Sequence, residues 1–180
     1  MSNAEGKPEI AIRVHTIAQL FNSFDPSPFL EKDLDTAAEN FLVGWVRELP
    51  RMAPFTVAVY LPAEEAAKPE AAELETAFAN YFETRAQEFD RELRELFRIG
   101  RRSLAIGVAV LAACLTASQL LAPLVGNPTA ARVIEESLII VGWVANWRPI
   151  EIYLYDWWPI RRRCQLYRRI AAAPVSARSC

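Results

Sequence analysis

The sequence predicts an α+β membrane protein in which a small strand-helix-strand cytoplasmic module is joined by a long amphipathic helix to a two-helix transmembrane hairpin. Residues 103–131 contain no charged side chain, whereas residues 64–102 contain ten acidic and seven basic ones. Alternating apolar residues precede the charged region, and groups of five arginines flank the apolar one. Although the 180-residue chain is 52% hydrophobic with a net charge of −2, this segregation disfavours a single soluble globule.

The overall composition excludes several classes of protein. The apolar content is too high for a disordered chain, and a pI of 5.6 is far from the basic value of nucleic-acid-binding domains, so no nucleic-acid partner is expected. The three cysteines form no C-x-x-C pair, which disfavours a zinc site. Their odd number, without a secretory signal pattern, favours a reducing, cytosolic setting for the polar part. Residues 1–8 lack the pattern of a secretory signal and are expected to form a mobile N-terminus.

The strand-helix-strand module is assigned to residues 9–68. Apolar residues alternate with others in residues 10–14 and 55–61, which predicts two strands that each have one covered face. Between them, Thr36 and Glu39 form a T-x-x-E pattern that predicts a capping box at the start of a helix ended by Pro50. A connection of this length permits parallel pairing of the strands, and antiparallel pairing stays open.

A long amphipathic stalk helix is predicted for residues 69–102. The apolar residues that recur along it at spacings of three, four or seven are Leu74, Phe78, Phe82, Phe89, Leu93 and Leu96. Gly100 is the one helix breaker in this region, so the helix is expected to continue into the apolar segment, over roughly 80 Å if straight. Two strands and a short helix make a poor core, and we expect this helix, another copy or a partner protein to complete it.

Residues 103–125 are predicted to form transmembrane helix 1. These 23 residues are uncharged, and a bilayer core of about 30 Å requires roughly 20 apolar helical residues. Backbone groups in lipid must be paired within the segment, which requires a helix. Pro123 lies near the predicted end of this helix.

The second transmembrane helix is predicted for residues 133–155, after a short extracytoplasmic loop at residues 126–132. The longest uncharged run of this segment is residues 137–147, which alone suits a core helix or a re-entrant segment. The longer span places its charges toward the two ends, where long side chains can reach the interface. Pro149 predicts that the helix kinks or ends near Arg148.

The distribution of arginines predicts the orientation in the membrane. Five arginines lie in residues 91–102 and five in residues 161–169, whereas the connecting loop contains only Arg132. Because basic residues accumulate on the cytoplasmic side, both termini are expected there, with residues 156–180 as a basic C-terminal segment. The predicted topology therefore has two passes.

Aromatic and basic residues near the ends of the apolar segments predict contact with lipid headgroups. Aromatic rings with a polar edge favour this boundary, and each basic residue near an anionic surface contributes about 1 kcal/mol. The candidate headgroup contacts are Arg101, Arg102, Trp157, Trp158, Arg161, Arg162 and Arg163.

Four charges in the second apolar region are candidate intramembrane groups: Glu135, Glu136, Arg148 and Glu151. Ionisable groups in lipid are unfavourable and often mark an ion or proton path. Arg148 and Glu151 are three residues apart and can also pair on one helical face, which is the interpretation we favour.

No set of residues predicts a catalytic, cofactor or metal site. His15 is the single histidine, and a polar residue on a strand face explains it better than a catalytic base does. Asp25 and the acidic residues after it lack the spacing of a calcium loop, so turn formation and helix capping are favoured.

Two segments resemble those of an uncharacterised group of small bacterial membrane proteins with two predicted transmembrane helices. They are FNSFDPSPF, residues 21–29, and YLYDWWPIRRR, residues 153–163. The resemblance implies a bacterial inner membrane, and it supplies no catalytic residue.

These observations favour a non-enzymatic inner-membrane anchor, scaffold or accessory subunit. Its expected partners are the lipid bilayer and either further copies of the chain or another subunit of a membrane complex. The alternative is a small channel or transporter subunit that uses the four charges of the second transmembrane helix. A third hypothesis is a membrane-bound enzyme that uses Asp25 and neighbouring carboxylates with a metal ion.

Overall fold

The chain forms two compact units, one of which contains both ends of the sequence. The computed structural model describes residues 8–50 and 52–179. Unit 1 comprises the chain up to Phe89 together with the segment from Arg162 onward, and unit 2 comprises Asp90–Arg161. The predicted mobile N-terminus falls on residues that, apart from Pro8, lie outside the described part. Unit 2 is therefore an insertion into unit 1.

The elements of unit 1 are strands β1 (Glu9–Arg13), β2 (Thr56–Leu61) and β3 (Val175–Ser179), helices α1 (Thr36–Glu48) and α2 (Ala63–Ala66), and 3₁₀ turns at Ile17–Leu20 and Phe29–Glu31. Helix α3 (Pro69–Leu121) begins in unit 1 and ends in unit 2, where a 3₁₀ turn (Ala122–Leu124), α4 (Pro128–Ala145), α5 (Trp147–Glu151) and a π-helix (Ile152–Asp156) follow. Helix α6 (Trp157–Ala171) begins in unit 2 and leads into unit 1. The mixture of helices with a small sheet is confirmed, and so is the long helix that contains the apolar segment.

The sheet of unit 1 has the order β1-β2-β3, and both pairs are parallel. Ile10 pairs with Val57, which in turn pairs with Val175. The structure thus selects parallel pairing for the first two strands, the arrangement that the connection through α1 permits. β3 was not predicted, since residues 156–180 are assigned from the sequence only as a basic C-terminal segment.

One face of the sheet carries the core of unit 1. Ile10 and Ile12 alternate with exposed residues on β1, as the sequence predicted. The residues of α1, α3 and α6 that share this core are Leu42, Val43, Val46, Ala71, Leu74, Ala77, Phe78, Tyr81, Phe82, Ala86, Cys164, Tyr167 and Ile170. Complete burial of a side chain the size of phenylalanine contributes about 2–3 kcal/mol, so Phe78 and Phe82 are major contributors. The expected completion of the core by the long helix is confirmed, and α6 and β3 add to it.

The N-terminus of α1 differs from the predicted capping box. Asp35, not Thr36, is the N-cap residue, and its carboxylate accepts a hydrogen bond from the Ala37 N–H at 2.8 Å. The capping box would have used Glu39 at the helix start, but the side chain of Glu39 is buried and has other partners. The end of the helix is as predicted, since α1 stops at Glu48, two residues before Pro50.

The connection in unit 2 is shorter than the predicted loop at residues 126–132. Helix α3 ends at Leu121, close to Pro123 as expected, and α4 already begins at Pro128. Asn127 is the N-cap of α4 and accepts a hydrogen bond from the Thr129 N–H at 2.9 Å. Proline at the first position of a helix loses no intrahelical bond, so Asn127 and Pro128 together start this helix early.

The segment predicted as one helix over residues 133–155 is interrupted. Helix α4 ends at Ala145 and α5 starts at Trp147, with Asn146 between them. The break lies two residues before Arg148, where a kink or end was expected. Pro149 falls in the first turn of α5, a position that tolerates the missing N–H.

Among the helices that the structure describes, α3 is the one that is long and apolar enough to cross a membrane. Its most apolar 18-residue window has a mean hydropathy of 2.1, and only 17% of that window is buried within the protein. The core helix of a soluble protein would bury most of such a window. Helix α4 carries Arg132, Glu135 and Glu136, so a second crossing stays a prediction.

Candidate functional site: a buried glutamate and a buried asparagine

Unit 1 contains a buried carboxylate that receives hydrogen bonds from two tyrosines. Glu39 on α1 is 7% exposed. The Tyr81 hydroxyl donates to Oε2 at 2.9 Å, and the Tyr167 hydroxyl donates to Oε1 at 2.5 Å. The guanidinium of Arg85 approaches Oε2 at 3.7 Å. Both carboxylate oxygens are therefore engaged. We call these four residues the Glu39 cluster.

Three segments far apart in the sequence supply the Glu39 cluster. Tyr81 and Arg85 are four residues apart on α3 and so lie on one face of the helix, where the guanidinium is 5.9 Å from the Tyr81 ring centre. Arg85 also pairs with Glu88 at 2.8 Å. Tyr167 comes from α6, and its ring packs at 5.0 Å from that of Phe89. The cluster thus ties α1 to the helices that precede and follow the insertion.

The environment of the cluster keeps both tyrosines protonated. Burial and the hydrogen bond to Glu39 raise the pKa of Tyr167 to about 12. Burial, as the larger cause, and the hydrogen bond to Glu39 also raise the pKa of Tyr81, by more than they raise that of Tyr167. Both hydroxyls therefore remain hydrogen-bond donors throughout the physiological pH range. With both of its oxygens already hydrogen-bonded, Glu39 fits a structural role better than that of a general base.

A second carboxylate links the three strands on the other face of the sheet. Glu9 on β1 accepts a hydrogen bond from the Tyr60 hydroxyl of β2 at 3.1 Å. Its other oxygen is 3.2 Å from the guanidinium of Arg178 on β3. Glu9 therefore connects β1 and β2 to β3, which lies near the other end of the chain. The Glu39 cluster connects α1 to α3 and α6 in the same way.

Unit 2 is held together by a buried asparagine at the break between α4 and α5. The side-chain N–H₂ of Asn146 donates to the carbonyl oxygen of Gly107 on α3 at 3.0 Å and to that of Gly142 on α4 at 2.9 Å. Asn146 is 8% exposed. Amide side chains that bond across helices in this way stabilise helix pairs where no water competes.

Two glycines allow the close approach of these helices. A Cβ atom on Gly107 would lie 2.7 Å from the Asn146 Oδ1 atom and 3.0 Å from the Ala145 carbonyl oxygen. A Cβ atom on Gly142 would lie 2.6 Å from a methyl carbon of Leu111 and 3.2 Å from its Cα. Gly107 meets backbone and a fixed polar atom, so it is the less replaceable of the two.

The four predicted intramembrane charges are all located in unit 2, and they do not converge on one site. Glu135 is exposed on α4, and Glu136 is exposed and pairs with Arg132 at 3.0 Å. Arg148 pairs with Glu151 at 2.9 Å, as predicted, and also with Asp156 at 3.0 Å across the π-helix.

The predicted headgroup residues are on the surface of their units. Arg101, Arg102, Trp158 and Arg161 are exposed in unit 2, where Trp157 is half-buried, while Arg162 and Arg163 are exposed in unit 1. The indole N–H of Trp157 donates to the Tyr153 carbonyl at 2.9 Å, and the Arg161 guanidinium is 5.7 Å from the Trp157 ring centre. Contact of these residues with lipid stays a prediction.

Asp25 organises a loop by bonds to the backbone. Its two oxygens accept hydrogen bonds from the N–H groups of Ser27, at 2.9 Å, and Asp33, at 2.7 Å. These hydrogen bonds lower the pKa of Asp25, and the bond from the Asp33 N–H makes the largest contribution. Within residues 8–50 and 52–179, no three His, Cys, Asp or Glu side chains are grouped so as to hold a metal ion. This loop therefore gives no support to the metal-dependent enzyme hypothesis.

Comparisons with known proteins add no relative. No protein-family model matches the chain. Neither the curated proteins nor the solved structures yielded a match. The resemblance of residues 21–29 and 153–163 to small bacterial membrane proteins therefore stays an expectation.

Proposed function

We propose that the protein is a two-pass membrane anchor that presents unit 1 on the cytoplasmic side of a bacterial inner membrane as a scaffold or accessory subunit. In this proposal, α3 carries the chain into the bilayer and α4 returns it. The observation that carries the proposal is that β1 and β3, on either side of the insertion, pair with the same strand, β2.

This pairing constrains the number of crossings. β1 precedes the apolar insertion and β3 follows it, yet both hydrogen-bond to β2 within one sheet. A folded sheet cannot be divided by a lipid bilayer, because backbone groups in lipid must be paired within helices or closed barrels. If the apolar window of α3 crosses the membrane, the insertion must therefore cross an even number of times.

The charges of the returning segment are compatible with a second crossing. Glu136 is paired with Arg132, and Arg148 lies between Glu151 and Asp156, so most of these groups would enter the interface as neutralised pairs. They lie toward the two ends of the segment, where the cost of a charge falls well below the roughly 3 kcal/mol of mid-bilayer. The uncharged residues 137–147 remain for the centre.

Two pairs of arginine substitutions on α3 test the membrane assignment. Leu104 and Leu115 are similarly exposed, at 40% and 42%, but Leu104 lies beside Arg101 and Leu115 near the middle of the apolar segment. We expect Ala112→Arg with Leu115→Arg to cost about 3 kcal/mol for each charge and to reduce the carbonate-resistant membrane fraction strongly. Leu104→Arg with Ala105→Arg should leave that fraction nearly unchanged, because both side chains can reach the interface. The same carbonate-resistant fraction in the two double variants would contradict the proposal.

A channel or transporter role is the second candidate from the sequence. It requires charges that converge on a path through the membrane, whether or not they are paired. The four candidates do not converge, because Arg148 is held by two carboxylates, Glu136 is held by Arg132, and Glu135 lies exposed on α4. The contacts therefore favour the anchor.

A further inference from the structure

The outer edge of β1 exposes a row of backbone hydrogen-bonding groups. The Thr56 N–H donates to the Pro8 carbonyl at 3.1 Å, and the Val14 N–H donates to the Tyr60 carbonyl at 3.2 Å. Because residues alternate in a parallel ladder, even-numbered residues of β1 bond to β2. The N–H and C=O groups of Glu9, Ala11 and Arg13 therefore point to the open edge, and no strand within the described residues pairs with them.

The side chains at this edge have a pattern that is complementary to itself. The strand reads Glu-Ile-Ala-Ile-Arg, with an acidic residue at one end, a basic residue at the other and exposed Ala11 at the centre. Arg13 is exposed and has no carboxylate partner among the residues that the structure describes. An edge strand with free backbone groups is a template for pairing with another strand.

We propose that this edge pairs antiparallel with the same edge of a second copy of the chain, around a twofold axis at Ala11. Glu9 of each copy then lies opposite Arg13 of the other, and Ile10 lies opposite Ile12 of the other. The two three-stranded sheets become one six-stranded sheet, with the isoleucines of both copies on the core face. A twofold interface of this kind uses one surface on both copies and closes at the dimer.

Charge selects this register. An axis that passes through any residue of β1 brings the outward N–H and C=O groups of both copies together as hydrogen-bonded pairs, so the charges must distinguish the possible centres. An axis at Glu9 would place two glutamates opposite each other, and an axis at Arg13 would place two arginines opposite each other, both of which are unfavourable. An axis at Ile10 places Glu9 opposite Ala11, and an axis at Ile12 places Arg13 opposite Ala11, so neither forms a Glu9–Arg13 pair. Ala11 is the centre that forms two such pairs.

Glu9 can accept this additional partner. Its carboxylate already contacts the Tyr60 hydroxyl and the Arg178 guanidinium, both from the same copy. An ionised carboxylate offers about four acceptor positions, but the Glu9 side chain is only 6% exposed, so the side chains around it must shift for Arg13 of the second copy to join these contacts. The proposal goes beyond the anchor role by naming the partner that covers this edge.

Disulfide trapping of the full chain in mild detergent tests the pairing. Residues opposite each other in a hydrogen-bonded antiparallel pair have Cα atoms about 5.5 Å apart, within the range for a disulfide. In a chain with Cys114→Ala, Cys164→Ala and Cys180→Ser, we expect Ala11→Cys to form a covalent dimer on mild oxidation. Ser176→Cys is the matched control, because Ser176 is exposed and lies in the same row across the sheet, on the opposite edge strand.

A charge substitution tests the register. Arg13→Glu places like charges opposite each other at two positions, so we expect it to slow Ala11→Cys dimer formation about tenfold relative to neutral Arg13→Gln. Ala11→Pro, measured separately by light scattering, should give monomers with an unchanged circular dichroism spectrum, because the N–H that it removes points away from β2.

Two results would overturn the proposal. One is a folded Ala11→Cys chain that forms no more covalent dimer than Ser176→Cys. In that case Glu9 and Arg13 would serve only to prevent the edge of β1 from pairing with another strand. The other is an equal rate of dimer formation in Arg13→Glu and Arg13→Gln, which would exclude the register centred on Ala11.

Discussion

Replacement of Glu39 with alanine is expected to lower the free energy of unfolding of unit 1 by about 3 kcal/mol. The change removes the acceptor of the Tyr81 and Tyr167 hydroxyls, and each buried donor left without a partner costs about 1–3 kcal/mol. Hydrogen exchange of the full chain in detergent provides the measurement. Because 1.4 kcal/mol corresponds to a factor of ten, amides of β2 that exchange through global opening of unit 1 should exchange about 100-fold faster.

Glu48→Ala is the matched control for this prediction, since Glu48 is an exposed acid on the same helix. Its removal should change the stability little, because surface substitutions lie within about 0.5 kcal/mol. Combining Glu39→Leu with Tyr81→Phe and Tyr167→Phe removes donors and acceptor together and should recover most of the loss. If Glu39→Ala and Glu48→Ala had the same effect, the Glu39 cluster would not hold unit 1 together.

Gly107→Leu is expected to open the helical pair of unit 2. The Cβ atom alone would lie within 3.0 Å of a backbone carbonyl and of the Asn146 side chain, so α3 and α4 must move apart and the Asn146 bonds are lost. We expect a loss of about 2–3 kcal/mol, combining overpacking with the lost hydrogen bonds. Spin labels at the exposed positions Ile106 and Val144 should show a distance that is several Å longer and more broadly distributed.

The control is Gly126→Leu, the same substitution at a glycine whose Cβ would have no atom within 4 Å. This variant should keep the distance distribution of the parent chain. A narrow, unchanged distribution in Gly107→Leu would show that the close contact at Gly107 does not determine how these helices pack.

The elements that the sequence predicted correctly are those determined by local patterns. Alternation of apolar residues marked β1 and β2, and helical spacing with a terminal proline marked α1. The absence of charge marked the apolar part of α3. Asn127 followed by Pro128 is also a local signal for a helix start, but both residues fall within the loop predicted for residues 126–132.

The parts that were missed depend on contacts between distant segments. Val175 and Ala177 alternate with Ser176 and Arg178 after Pro174, which is a strand pattern only five residues long. Its place beside β2 arises from a pairing across more than 110 residues, which no local window contains.

Glu39 illustrates how a local rule can mislead. The T-x-x-E pattern assigned its carboxylate to the start of α1, yet Asp35 supplies the cap. Glu39 is instead buried between Tyr81 and Tyr167, which lie 42 and 128 residues away in the sequence. Burial of a charged side chain requires partners that cannot be identified until the helices are placed.

The most direct test of the account is to determine on which side of the membrane each part of the chain lies. Single cysteines are introduced at His15, Gly126 and Ser176 in the chain without native cysteines, and cells are treated with a maleimide that cannot cross membranes. The three positions are exposed, or open to an added Cβ, so folding does not hide them.

We expect cysteine at position 126 to react in spheroplasts with an intact inner membrane, whereas cysteines at positions 15 and 176 should react only after lysis. Reaction at 15 and 176 on opposite sides would contradict the shared sheet of β1, β2 and β3 in the membrane-bound protein. Reaction of all three positions only after lysis would contradict the crossing itself.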